Sequence, residues 1–333
     1  MNTKLTIFTI LGLSWCFVLG LFVYTEQPAL NREAISAEAL LSIRKPVTIL
    51  AFGDMMLDRA VRKKISENGP EYPFAQIKDF IKGDIVVANA EGPFTYNKSV
   101  TVGVKNGPLV FTFDPAVLPT LKSLGFTLFS QANNHTLNFG MSGFRQSTSS
   151  VVNAGLNWFG DPSNVEVAPY IENVRGEKIA FVGYHEFVYQ GFEKVLDAIK
   201  EAKKTATFVV VYPHWGEEYL LGFTPAQQQK AYSFIDAGAD VVIGAHPHVI
   251  EPIEIYKNKL IFYSLGNFIF DQGFDIPTGR GLSVKISLKT KEVQYDLFPF
   301  FIEKQQVRLM SGDDRQSELN SLSVPTGTII MPR

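Results

Sequence analysis

Two textures of apolar patterning run along this chain. From Leu5 to Tyr24 the residues are predominantly apolar and carry no charge. From Val47 onward, short β-type runs alternate with segments of helical character. Val47–Phe52, Asp84–Ala88, Phe126–Gln131, Lys178–Gly183, Thr207–Tyr212 and Asp240–Gly244 each centre on β-branched or aromatic residues and predict strands. Pro115–Leu124, Ser142–Ala154, Phe192–Lys203 and Pro225–Ala237 predict helices, the last two ending near a lysine pair or a glycine. Strand–helix alternation predicts an α/β sandwich rather than an all-β domain. Past Ile253 the texture changes. Lys257-Asn258-Lys259 separates two β-type runs and predicts a hairpin, and Leu282–Leu288 with Val293–Phe300 predicts a second antiparallel pair.

The uncharged run is long enough for a membrane. At about 1.5 Å per residue, roughly 20 helical residues cross a hydrocarbon core of about 30 Å. Lys4 precedes it, which favours a cytoplasmic amino terminus. A cleaved signal peptide is the rival, with Val18-Leu19-Gly20 as a mediocre cleavage site; the apolar run continues past it to Tyr24. A lipid anchor at Cys16 is disfavoured by the bulky Trp15 before it. The expected organisation is a single-pass anchor over 1–24, a spacer over 25–45, a domain over 46–303 and a polar surface extension over 304–333. Either fate of the segment places the rest of the chain outside the cytoplasmic membrane, and an uncleaved anchor holds it at the cell membrane.

Composition narrows the class. Of 333 residues, 46% are hydrophobic and 19% charged, which excludes global disorder. With 31 basic and 33 acidic residues the formal net charge is −2, so nothing predicts a nucleic-acid partner. Arg62-Lys63-Lys64 and Lys203-Lys204 read as solvated helix faces. The single cysteine excludes an intrachain disulfide framework and a cysteine-based zinc site.

The candidate chemistry lies in the polar clusters. Four of the five histidines fall in Asn133-Asn134-His135, Pro213-His214-Trp215-Gly216 and Gly244-Ala245-His246-Pro247-His248. Gly53-Asp54 and Asn89-Ala90-Glu91-Gly92-Pro93 precede them. All follow predicted strands, and ligands in open α/β sheets bind beyond the carboxyl ends of strands. Imidazole, carboxylate and amide oxygen together form a transition-metal ligand set. A lone histidine at a strand end is ordinarily a cap or surface residue; the convergence of all these clusters is what points to a metal.

Gly53-Asp54-Met55-Met56-Leu57-Asp58-Arg59, Asn89-Ala90-Glu91-Gly92-Pro93, Asn133-Asn134-His135, His214-Trp215-Gly216-Glu217-Glu218-Tyr219, Gly244-Ala245-His246-Pro247-His248-Val249 and Tyr263-Ser264-Leu265-Gly266-Asn267-Phe268 resemble the motif series of the CapA family. These are poly-γ-glutamate capsule biosynthesis proteins, similar in fold to calcineurin-like metallophosphatases. The resemblance implies a metallophosphatase-like αββα sandwich behind an N-terminal transmembrane helix. It implies a divalent metal such as Mn, Fe or Zn, as one or two ions. Its implied partners are membrane synthase and export subunits and the anionic polymer. By the same resemblance Asp54 is the first aspartate, Glu91 the bridging carboxylate, Asn134 an amide ligand, and His214 and His246 imidazole ligands of the second ion. His248 would serve the first ion, and His135 would stand near the leaving group as general acid.

This chain departs from the metallophosphatase pattern at Met56, where the series has its first histidine; a thioether is a poor ligand for a hard divalent ion. The first site is left with Asp54, Glu91 and His248, while the second keeps its full set. Arg59, Glu218 and Asn267 are candidates for holding substrate, with a salt bridge as the plainer role for Arg59. Asp271 is a further candidate for the pocket lining. Glu217 and Glu218 read equally as partners orienting His214 or as a solvated turn. His185 reads as structural. Three functions stay open: an accessory subunit of polymer synthesis and export, a metal-dependent hydrolase of phosphoester or γ-glutamyl amide bonds, and a binding scaffold on a degenerate phosphatase fold.

Overall fold

Strands covered on both faces read as continuous apolar runs, and that texture builds the centre of this molecule. The computed structural model describes residues 45–104, 107–324 and 326–333. The expected anchor and nearly all of the expected spacer lie outside the described residues. Among the described residues, no helix is long and apolar enough to cross a membrane.

The chain opens with β1 (Val47–Met55), α1 (Arg59–Asn68), β2 (Ile85–Ala90), α2 (Leu118–Leu124), β3 (Leu128–Ser130), α3 (Gly140–Asn153) and β4 (Asn157–Phe159). It continues with β5 (Tyr170–Val174), β6 (Glu177–His185), α4 (Phe192–Thr205), β7 (Phe208–His214), α5 (Pro225–Ala237) and β8 (Val241–Ile243). Then come β9 (Ile253–Tyr256), β10 (Lys259–Phe262), β11 (Asn267–Ile269), β12 (Arg280–Leu288), β13 (Glu292–Glu303), β14 (Gln306–Leu309), α6 (Gly312–Ser321) and β15 (Thr328–Pro332).

One sheet has nine strands in the order β14-β13-β12-β1-β2-β3-β4, with β11 beside β1 and β15 beside β13. The other has six, in the order β5-β6-β7-β8-β10-β9. The pairs β1–β2, β2–β3, β3–β4, β6–β7 and β7–β8 are parallel, as strands joined through crossover helices must be.

Side-chain alternation along each central strand then feeds two cores at once. Ile49, Ala51 and Val87 of the first sheet meet Phe181, Val210, Tyr212 and Ile243 of the second. Leu50, Phe52, Val86 and Ala88 point the other way, against Val61, Leu121 and Val151 of α1–α3. Val182, Val209, Val211 and Val242 likewise cover Val195, Ile199 and Phe234 of α4 and α5. The Tyr212 hydroxyl, buried between the sheets, donates to the Phe52 carbonyl. The result is a helix–sheet–sheet–helix sandwich.

Local signals agree with this arrangement. Helix α5 starts with Pro225 behind a capping box in which Thr224 and Gln227 bond one another's backbone N–H. The Lys257–Asn258 turn, with φ of 48° and 59°, closes the β9–β10 hairpin. The expected β12–β13 pair forms over nine residue pairs, Arg280↔Phe301 to Leu288↔Val293. Residues 304–333 correct the expectation of a surface extension. Strands β14 and β15 both pair with β13, and Leu319, Leu322 and Met331 enter the core between the sheets.

One close approach sets the site's geometry. A Cβ on Gly53 would lie 1.9 Å from the Gly266 carbonyl oxygen, the same oxygen that accepts the Asp54 N–H at 3.0 Å. Backbone cannot yield as a flexible side chain would. Gly53→Ala is therefore expected to destabilise the fold by about 3 kcal/mol, read as a lower denaturation midpoint; a change under about 0.5 kcal/mol would refute this.

Candidate metal centre

The donors come from strand ends brought side by side. Asp54 and Asn89 sit opposite each other on β1 and β2, His185 and His214 on β6 and β7, and His214 bridges to Ala245 beyond β8. Asp54, Glu91, His214, His246 and His248 are all buried.

The loop after β8 holds two histidines in an unusual backbone state. His246 and His248 have φ of +100° and +61°, a region β-carbon-bearing residues rarely adopt, and the backbone N–H of His246 donates to Asp54 Oδ2 at 2.9 Å. Asp54 Oδ1 accepts from Asn89 Nδ2 at 2.8 Å. His214 Nε2 lies 2.9 Å from Asn134 Oδ1 and 3.1 Å from His246 Nδ1. Asn134 and His246 therefore both lie within reach of an ion that His214 could hold.

The two oxygens of Glu91 are buried with no hydrogen-bond partner. A bare buried carboxylate is costly without a cation. Burial first, then Asp54 and Glu218, push the Glu91 carboxyl well above the usual carboxylate range. The donor chemistry thus fits a divalent ion. Two groups of side chains that could hold an ion lie together, Asp54–Glu91–His248 and Glu91–His214–His246, each with ligand atoms within 4.8 Å of one another. Burial, then neighbouring histidines, hold His214 well below the usual imidazole range, keeping it in the neutral form that ligates metals.

Asn267 lies behind His248 rather than in the pocket, which corrects its expected substrate role. Its Nδ2 donates to Gln272 Oε1 and Thr278 O, both at 3.1 Å, leaving Oδ1 to accept from His248 Nδ1 at 3.0 Å. That bond puts the His248 proton on Nδ1 and turns the free lone pair on Nε2 toward Glu91, 3.7 Å away. Met56 is no donor either. It packs in the core under α1–α3, and its sulfur accepts the Asp58 N–H at 3.1 Å.

A cavity of ≈ 290 Å³ opens over Glu91, His135 and His248, with Arg59, Phe111 and Tyr219 among its walls. The Arg59 guanidinium is 3.0 Å from Asp271 and lies over the Phe111 ring, so the salt bridge and the cavity position coexist. Asn138 Oδ1 accepts the Phe111 N–H at 2.6 Å and faces His135 Nδ1 at 3.2 Å, which makes Nδ1 the protonated nitrogen. His135 Nε2 is left unprotonated, 3.8 Å from Glu91, and burial lowers the ring's pKa to about 4. The neutral ring therefore presents an acceptor; proton donation requires it to be charged first. His185 donates through Nδ1 to the Pro162 carbonyl at 2.7 Å, behind the site.

Sequence patterns gave no sign of Phe111 and Gln272 as parts of the site's surroundings. Asn89 was visible only as part of a motif; it links Asp54, His214 and Asn133.

Stacked sheets between helices, with these donors at the carboxyl ends, fit a metallophosphatase-like α/β sandwich. The chain belongs to the family described as Bacterial capsule synthesis protein PGA_cap, matched over residues 48–272. It is 34% identical over 240 residues to the PGA biosynthesis protein CapA of Bacillus subtilis, covering 67% of this chain and 63% of that one. It is 31% identical over 249 residues to the Capsule biosynthesis protein CapA of Bacillus anthracis, covering 68% and 61%. The chain thus spans less than two thirds of the length of these relatives. Among solved structures, Vacuolar Protein Sorting 29 from Cryptosporidium parvum is similar at 9% identity and a TM-score of 0.32, over 80% of this chain and 97% of that one, a likeness too slight to support more.

Proposed function

We propose that this chain is a membrane-anchored component of poly-γ-glutamate capsule synthesis and export, working outside the cytoplasm beside membrane synthase and export subunits. The observation that carries the reading is the family membership: the matched stretch, 48–272, contains every donor of the site. The anchor is supported by the uncharged run from Leu5 to Tyr24. With a formal net charge of −2, the protein does not attract an anionic polymer in bulk, so its grip is local, through Arg59 and a cation in the cavity.

Asp54, Glu91 and His248 would hold one divalent ion, and Glu91, Asn134, His214 and His246 a second. Mn, Fe or Zn suits this mixed imidazole and carboxylate set. Such an ion supplies Lewis-acid polarisation of a substrate oxygen. The chain's residues do the rest: Arg59 draws an anionic group into the cavity, Asn267 orients His248, and Asn138 orients His135.

The test is deletion of the gene in its host, with surface poly-γ-glutamate measured before and after complementation. Polymer is expected to fall on deletion and to return with the wild-type gene but not with His214→Ala/His246→Ala. Unchanged polymer on deletion would sink the capsule role.

His135 favours a second reading, hydrolysis of a phosphoester or γ-glutamyl amide bond. Its Nε2 faces the cavity beside Glu91, where it can take a proton and pass it on. Full-length protein in detergent, assayed with Mn²⁺ on phosphoesters and on γ-linked glutamate polymer, decides it. Equal rates for wild type and His135→Ala would count against the hydrolase.

A further inference from the structure

Glu218 reaches the donor cluster from a different direction than the strand-end residues. It lies in the turn after β7, and that turn is pinned on both sides. The Trp215 N–H donates to Ala245 O at 3.1 Å, and its buried indole donates to Tyr263 O at 2.8 Å. Gly216, at φ +86°, donates its N–H to Glu186 Oε2 at 2.7 Å. Tyr219, at φ +68°, donates its N–H to Pro247 O at 2.8 Å, tying the turn to the backbone between the two histidines. The Tyr219 side chain is held as well, its hydroxyl accepting from Gln272 Nε2 at 3.1 Å.

With its neighbours fixed this way, Glu218 joins His246 and His248 in a third donor group whose ligand atoms lie within 4.8 Å of one another. The adjacent Glu217 joins none of the three. Glu218 also lines the cavity over Glu91 and His135, and it is exposed where both histidines are buried. Met56 has its sulfur committed to the Asp58 N–H and offers the site nothing.

We infer that Glu218 is a metal ligand, supplying from the cavity mouth the donor that Met56, just past the end of β1, does not supply. It stands beside His248 of the thin site and His246 of the second, and as the exposed member of its donor group it is the ligand an incoming anionic group displaces. The inference rests on the metal-site reading above and adds to it a residue that the phosphatase series does not contain.

The test is calorimetric titration of Mn²⁺ into full-length protein in detergent. Glu218→Gln is expected to weaken one class of Mn²⁺ site at least tenfold, or to remove one equivalent, with its melting temperature in EDTA unchanged. Glu217→Gln is expected to titrate like wild type. Wild-type Mn²⁺ binding by Glu218→Gln, alongside loss of binding by His246→Ala, would overturn the role of Glu218 and leave the metal site standing. A Glu218→Gln protein that already melts early in EDTA would mark a structural role and overturn it too. Wild-type protein that takes up no Mn²⁺ would overturn the metal site and this ligand together.

Discussion

His214→Ala is expected to weaken divalent-ion binding by more than about a hundredfold, the upper end of what losing an outer-shell partner costs a metal site. His214 is buried at the end of β7, and its Nε2 stands 2.9 Å from Asn134 Oδ1 and 3.1 Å from His246 Nδ1. Removing the imidazole takes away one donor and the contact that spaces two others. It also leaves Asn89 Nδ2, now 3.1 Å from His214 Nδ1, without that partner in a buried setting. A further loss of about 1–3 kcal/mol of stability is therefore expected. Asn267→Ala, which only frees the His248 ring, should cost roughly tenfold in affinity by comparison. Mn²⁺ titration of the purified proteins checks both. Affinity within about threefold of wild type in His214→Ala would show that the ion binds elsewhere.

Glu251→Gln should flatten the pH dependence of stability. The Glu251 side chain is buried, with Oε2 accepting from Gln227 Nε2 at 2.8 Å and Oε1 without a partner. Burial pushes its pKa up to about 8 from an ordinary 4.5, against a smaller lowering by Gln227. The folded protein thus keeps a proton that the unfolded chain releases from about pH 4.5 upward. The contribution to stability is fully present below about pH 4.5, falls as pH rises, and is lost by about pH 8. At about 1.4 kcal/mol per pH unit the ceiling is ~5 kcal/mol, and relaxation around the new charge brings the expected loss to on the order of 2–3 kcal/mol. Glutamine keeps the neutral shape and cannot ionise. Wild type and variant should therefore melt together near pH 5 and separate by pH 8.5, with the variant the more stable. Parallel melting curves across that range would refute the assignment.

How much of this was legible in the chain depended on what each element had to satisfy. The central strands could be read because burial on two faces demands an unbroken apolar run, as in Phe208–Val211. Helix α1 was visible only as a charged face, since Val61 is its one buried residue. Strand β5 alternates between half-buried and exposed positions, and β4 has three residues, too short for a period to show. Helix α6 is polar almost throughout, yet Leu319 and the following Leu322 reach the core.

At the site, residue chemistry announced Asp54, Glu91, His214, His246 and His248, because few other needs gather imidazoles and carboxylates after strands. The directions of Asn267, Met56 and Glu218 carried no such mark. Each was decided by bonds to residues brought near only by folding or by a particular loop path: Asn267 to Gln272 and Thr278, the Glu218 turn to Pro247, Met56 to its own turn at Asp58.

By itself, then, the sequence determined the α/β class and which imidazoles and carboxylates stand at strand ends, since periodicity and residue chemistry are local properties, while the family was legible in the order and spacing of the motifs. Tertiary structure alone decided which donors face one another, which asparagine stands behind which histidine, and from which side a further carboxylate arrives. Those outcomes turn on separations of about 3 Å between atoms far apart in the chain, and a hydrogen bond or metal–ligand contact fails when displaced by an ångström.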